Sequence, residues 1–266
     1  MTNKTRASCT LGIRRRDGIG FLFSILQIAN RQAPYDTIWQ MNVKSEIKRN
    51  SRDAGRFNIS KYLGTTHKVY NVPVPKLRTI ARDWVKENEE IGKEKFLEFL
   101  DSLYSGRSRE EKVLSSMILG RMPKLLVAMD ASYIDRWLGK LEGWEEVDSM
   151  CDEIDIWFRA DIHNRLNDLN HFNKDKQIEK RRASLVVLCN SVRHDNSKFL
   201  ADLSFEFIDA LKTEKHVMIT KAISWLLRSL IKYHRSEVEN YLKKNASTLP
   251  KIAVREVTRK LETGKK

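Results

Sequence analysis

Residues 198–233 read KFLADLSFEFIDALKTEKHVMITKAISWLLRSLIKY and contain neither glycine nor proline. The scarcity extends outward: between Trp144 and Thr263 there is no glycine, and Pro250 is the only proline. Hairpin turns need residues that accept a positive φ, so this half of the chain has almost no material for a sheet. Apolar residues recur instead at three- and four-residue steps. Ile219, Ile223, Leu226, Leu227 and Leu230 are one such series, and that period marks a helix buried along one face.

The same period recurs over 76–88, 94–104, 110–128, 131–141, 144–166, 175–192, 198–211, 216–233, 235–244 and 250–261. These are about ten expected helices with short polar joints. Ser108, Asn173 and Ser197 stand where helix starts need a side-chain acceptor. The chemically marked residues Asp148, Arg182 and Trp225 are spaced at roughly the length of a helical-pair repeat. The expectation is an all-α solenoid of stacked antiparallel helical pairs with a concave binding face.

The 266 residues are enough for a substantial core without disulfides. Cys9, Cys151 and Cys189 are far apart and form no metal-ligand spacing. No cofactor or metal is therefore expected, and a reducing cytoplasm is the expected compartment. Arg14, Arg15 and Arg16 precede an apolar stretch, Ile19 to Ala29, that is too short to span a bilayer. Residues 1–40 are read as an upstream extension of a domain covering 41–266, with a targeting peptide as the alternative.

A formal charge of +14 points to a polyanionic partner. The charge is uneven: residues 142–155 hold seven acids and no base, so the rest of the chain carries 49 minus 28, or +21. Three helices concentrate the functional signal. On 216–233, Lys221, Trp225, Arg228 and Lys232 fall opposite the apolar stripe, an arrangement suited to packing on a sugar or base while the cations hold phosphates. Packing of Trp225 on a neighbouring helix is the alternative. On 144–166, Trp144 and Asp148 stand one turn apart along the border of the stripe. The other acids there, Glu145, Glu146, Asp152 and Glu153, are read as a solvated face favoured by the helix dipole. On 175–192, Arg181 and Arg182 lie on opposite borders of the core face, and each is a candidate phosphate ligand.

Together these elements resemble the HEAT-like alkylpurine DNA glycosylases of the AlkD family over about residues 60–262. The resemblance enters with Tyr62-Leu63-Gly64-Thr65-Thr66-His67-Lys68-Val69-Tyr70-Asn71 and continues through Ser108-Arg109-Glu110-Glu111-Lys112. Its specific elements are Trp144-Glu145-Glu146-Val147-Asp148, Arg182-Ala183-Ser184-Leu185 and Lys221-Ala222-Ile223-Ser224-Trp225-Leu226-Leu227-Arg228. Asn71 stands where glycine is usual, in what is read as a turn. The resemblance implies that Trp144, Asp148, Arg182 and Trp225 line a DNA cleft.

It also implies excision of cationic alkylated purines from duplex DNA by a monomeric, cytoplasmic, nucleoid-associated enzyme. Asp148, Trp144 and Trp225 would carry the chemistry, and Arg182, Lys221, Arg228 and Arg181 would bind DNA. A cationic base leaves as a neutral molecule and needs no general acid, so the task left to the protein is to stabilise an oxocarbenium-like sugar. The competing readings are a non-catalytic nucleic-acid-binding protein of the same fold and a protein-binding helical scaffold.

Overall fold

The computed structural model describes residues 35–265. Among them are fourteen α-helices and no strand; Lys68 and Ser108 form an isolated parallel bridge. The first seven helices are α1 (Tyr35–Arg49), α2 (Ile59–Leu63), α3 (Val74–Glu87), α4 (Lys93–Tyr104), α5 (Arg109–Gly120), α6 (Pro123–Val127) and α7 (Ala131–Leu138). The others are α8 (Gly143–Ala160), α9 (Ile162–Lys174), α10 (Ile178–His194), α11 (Lys198–Leu211), α12 (Val217–Leu230), α13 (Arg235–Asn245) and α14 (Lys251–Thr263).

Helices α3, α5, α8, α10, α12 and α14 each pack on the next and form one continuous layer. Behind them, α4 backs α5, α9 and α11 back α10, and α13 backs α14. Helices of this second layer touch one another sparsely. An array that is tight on one side and loose on the other curves toward the tight side, so the first layer is the inner face of a solenoid. Its centre is α10, where every residue from Arg182 to Val192 is buried. The expected stripe of α12 is also buried: Ile219, Ile223, Leu226, Leu227 and Leu230 are fully covered, each gaining about 1.5–3 kcal/mol from burial.

The joints differ from the expected ones where a single residue breaks a periodic run. The expected helix 110–128 is two helices, because Pro123 cannot continue a helix and Met122 leaves helical geometry at φ −117°, ψ 59°. The expected 144–166 also divides. Asp161 turns out at φ −157°, ψ 69° and accepts a hydrogen bond from the Asn164 backbone N–H, starting α9. Asn173 is not a helix cap: it is buried inside α9 and donates to Ser184 Oγ at 3.0 Å. The joint falls later, where Asp175 accepts from the Gln177 N–H at 2.7 Å.

Ser108 does cap α5, in a reciprocal capping box with Glu111. Ser197 occupies the N-cap position of α11 without a side-chain cap bond. The expected boundary between residues 40 and 41 falls inside α1, and the readings of residues 1–34 lie outside the described residues. Asn71 adopts φ +54° in the turn before α3, a conformation that asparagine tolerates better than most residues.

One contact sets the start of α8. Gly143 has φ +70°, and a Cβ there would lie 2.2 Å from the Leu63 carbonyl oxygen. Glycine is thus required twice, for the left-handed backbone and for the close approach of the segment ending α2. Gly55 also has a positive φ, but nothing lies within 4 Å of its position. Gly143→Ala is expected to cost about 3 kcal/mol, on the order of 10 °C in Tm. Gly55→Ala is expected to cost only about 1 kcal/mol. Thermal melts of the two variants check this, and equal losses would mean that the α2–α8 contact is soft.

Candidate functional site

The approach of Gly143 to Leu63 brings the Tyr62 carbonyl to Trp144, whose indole N–H donates to it at 3.0 Å. The Tyr62 ring meets the Trp144 ring edge-on, with centroids 5.5 Å apart and planes at 86°. Trp144 is half-buried, and Tyr62 is exposed. One turn along α8, Asp148 receives two parallel hydrogen bonds from Arg182 of α10, Nε to Oδ1 and Nη2 to Oδ2, both 2.8 Å. The third donor, Arg182 Nη1, reaches the Met218 carbonyl in the first turn of α12. One buried guanidinium thus ties three consecutive inner helices together.

Burial pushes the Asp148 carboxyl above the ordinary carboxylate range, and Asp152 and Glu145 add to that direction. Arg182 opposes them through its hydrogen bonds and charge. The bidentate geometry is that of a carboxylate facing a guanidinium, so the pair is ionic.

Trp225 lies two turns beyond Met218 on α12, nearly in line with it. It is half-buried, with the Arg193 guanidinium 5.7 Å from its ring centroid. Lys221 is exposed between them on the same helix. Arg228 donates to the Ser224 carbonyl at 3.1 Å and pairs with Glu256 at 3.4 Å, Ser224 Oγ donating to the same carboxylate at 2.6 Å. The cluster thus unites Trp144, Asp148 and Arg182, with Trp225, Lys221 and Arg228 continuing along α12. Arg181 stands apart from it. Its guanidinium takes both oxygens of Glu214 at 2.8 and 3.0 Å and the carbonyls of Asp175 and Lys176, stapling the start of α10 to the segment before α12.

The acidic run is only in part the solvated face expected of it: Asp152 is exposed, but Glu145 and Glu153 are half-buried and Glu146 is fully buried. Glu146 accepts from Thr65 Oγ1 at 3.0 Å and from the Glu142 N–H at 2.9 Å, and it faces His67 Nδ1 at 3.0 Å. Glu142 accepts from the Thr66 N–H at 2.6 Å, and Glu145 pairs with Arg109. Asp152 accepts from Asn190 at 2.9 Å. Glu153 packs on Gly120, and its carboxyl is pushed up to about 7, first by burial and then by Asp152. Within the run Glu145, Asp148 and Asp155 face the guanidinium groups of Arg109, Arg182 and Arg159, which offsets part of the repulsion a phosphate would otherwise meet.

Tyr62, Arg109 and Arg193 were not singled out among the sequence candidates. A signal for one of them was present: Arg109–Glu145 and Asp148–Arg182 are opposite charges separated by one repeat. Of possible metal ligands, Asp135, His171 and Asp175 bring donor atoms within 4.8 Å of one another on α7, α9 and the following joint. The Lys180 ammonium sits among them, 2.6 Å from Asp135 and 3.5 Å from Asp175, as a cation supplied by the chain itself.

Removing the clamp has a pH signature. In Arg182→Gln, burial acts on Asp148 unopposed and its folded-state pKa rises further above the unfolded value. The penalty is then absent below the unfolded pKa, grows as pH rises from there to the folded pKa, and is complete above it. Relative to the parent, the variant is expected to lose about 3 kcal/mol at pH 7. The loss should shrink toward about pH 4, near the unfolded value. Urea denaturation at both pH values checks this; an equal loss at both would contradict the assigned role of the pair.

Similarity to known proteins agrees with this fold. The family model described as DNA alkylation repair enzyme matches residues 43–261. No curated protein matches the chain. Among solved structures, one titled a predicted DNA alkylation repair enzyme from Enterococcus faecalis superposes with a TM-score of 0.64 at 21% identity, covering 77% of this chain and 93% of that one. AlkD2 from Streptococcus mutans superposes with a TM-score of 0.56 at 14% identity, covering 83% of this chain and 98% of that one. At such identities these likenesses speak for the fold, and the family match, which spans most of the 266 residues, assigns the lineage: the chain belongs to the DNA alkylation repair enzyme family.

Proposed function

We propose that the protein hydrolyses the N-glycosidic bond of cationic alkylated purines, 3-methyladenine and 7-methylguanine, in duplex DNA. The observation that carries this reading is the Asp148 carboxylate on the inner face, held in two parallel hydrogen bonds by Arg182 one turn from Trp144. A base alkylated at N3 of adenine or N7 of guanine already bears the positive charge that an acid catalyst would provide. It departs neutral and leaves an electron-poor sugar. A fixed carboxylate stabilises that cation and orients the attacking water without having to reorganise as the bond breaks.

Trp144 and Trp225 hold the sugar, where a cation–π contribution of about 0.5–2 kcal/mol grows as charge develops. Lys221 and Arg228 flank Trp225 and take phosphates; Arg182 serves chiefly by keeping Asp148 ionised and aimed. Arg181, pinned by Glu214, contributes to DNA binding through the shape of the α10 start. The histidine of the matched entry segment, His67, is paired with Glu146, which suits a reaction without a general acid. We place the enzyme in the cytoplasm on chromosomal DNA, acting as a monomer. Among the described residues no helix is long and apolar enough to cross a membrane.

Two measurements test this. Asp148→Asn keeps the size of the side chain and removes its charge. Excision is expected to slow by about 10²–10³ while duplex affinity holds, and uracil and hypoxanthine, which leave as anions without an acid, are not expected to be released. Full activity of Asp148→Asn or efficient release of uracil contradicts the mechanism and favours a nucleic-acid-binding protein. Binding itself should weaken by roughly 10³ between 50 and 200 mM salt if about six phosphates are contacted. Lys221→Glu should flatten the salt slope by about one phosphate equivalent, whereas Lys86→Glu, in the last turn of α3, should leave it unchanged.

A further inference from the structure

Trp225 would be an ineffective surface for a sugar if its ring were free to swing, and the indole N–H of Trp225, unlike that of Trp144, is not what anchors it. A chain of contacts from two neighbouring helices reaches its face instead. Asp152 of α8 accepts from Asn190 Nδ2 at 2.9 Å, and Asn190 Oδ1 accepts from Arg193 Nη2. Arg193 Nε donates to the Cys189 carbonyl at 3.0 Å, so the guanidinium is fixed at two points before it reaches the ring. Its Cζ lies 5.7 Å from the Trp225 centroid. From the turn that follows α12, Lys232 donates to the Arg193 carbonyl at 2.7 Å.

We infer that Arg193 is a positioning residue for Trp225: its planar guanidinium, tethered through Asn190 to Asp152, holds one face of the indole and leaves the opposite face for substrate. This rests on the proposed glycosylase reading for its functional meaning but on geometry alone for its physical content. A guanidinium on one face draws π density from the ring, so it does not help the other face stabilise a cation. Its value is mechanical. Asp152, an acid that does not share Asp148's salt bridge, thereby has a task, which is to anchor the second aromatic wall of the site from the helix that carries the carboxylate. Arg rather than Lys is needed, because only a planar fork can satisfy Asn190 and Cys189 while lying against an indole.

The test uses the full chain and two readouts. The chain has six tryptophans, so the fluorescence of Trp225 is isolated by subtracting the matching Trp225→Phe protein from each variant. Arg193→Ala is expected to raise acrylamide quenching of Trp225 about twofold, as does Arg193→Lys, with a smaller rise in Asp152→Ala. Quenching unchanged in Arg193→Ala, or fully restored by Arg193→Lys, overturns the proposal. For single-turnover release of 7-methylguanine, Arg193→Ala should be about fivefold slower than the parent. The double variant Arg193→Ala/Trp225→Ala should be no slower than Trp225→Ala alone, because one residue acts through the other. Additive slowing shows instead that Arg193 acts on DNA directly and overturns the proposal. If the parent protein releases no base, the glycosylase reading fails, and the quenching result still decides the role of Arg193.

Discussion

Three inner helices meet at one side chain. Arg182 leaves α10 one turn from its start, grips Asp148 on α8 through two parallel hydrogen bonds and reaches the Met218 carbonyl on α12. An ion pair of this burial adds little net stability over a well-packed apolar contact, yet removal of one partner leaves a stranded charge worth about 3–5 kcal/mol. Its contribution is therefore one of register. The repeats cannot slide past one another without breaking it, and the carboxylate cannot turn away from the inner face without stranding the guanidinium.

The remaining contacts reinforce the same register at neighbouring steps of the layer. Arg109 and Glu145 join α5 to α8, while Ser224 and Arg228 join α12 to α14 through Glu256. At the N-terminal side the required glycine at 143 brings the end of α2 against α8 and fixes Trp144 through the Tyr62 carbonyl. The result is a carboxylate with an aromatic residue anchored on its own helix and a second carried on α12. These supports come from separate elements, which is how a surface site in a chain of short helices acquires rigidity.

Most of the architecture was legible because helical periodicity and the absence of glycine are local properties. The buried stripe of α12 and the helix start at Ser108 follow from short-range pattern. The misplaced joints have local causes that periodicity overrides. Asn173 looks like a cap but is drawn into the core by Ser184, and Asp161 breaks a run whose apolar spacing continues through it. Trp144, Asp148 and Trp225 stood out by type and by place on their helices, whereas Arg182 was set apart from Arg181 only by the family resemblance. Glu146 did not, because its burial depends on Thr65 and His67, some eighty residues earlier in the chain. Arg193 was hidden for the same reason: its partner Trp225 is on another helix, and an arginine near a helix end ordinarily reads as a solvated charge.

The central claim is that an ionised carboxylate on this inner face promotes departure of a base that is already cationic. It is tested most directly by incubating the unmodified full chain with methylated duplex DNA and identifying the free bases chromatographically. The account predicts release of 3-methyladenine and 7-methylguanine, with abasic sites left in unbroken strands. DNA that is bound in a salt-sensitive way but yields no free base would contradict it.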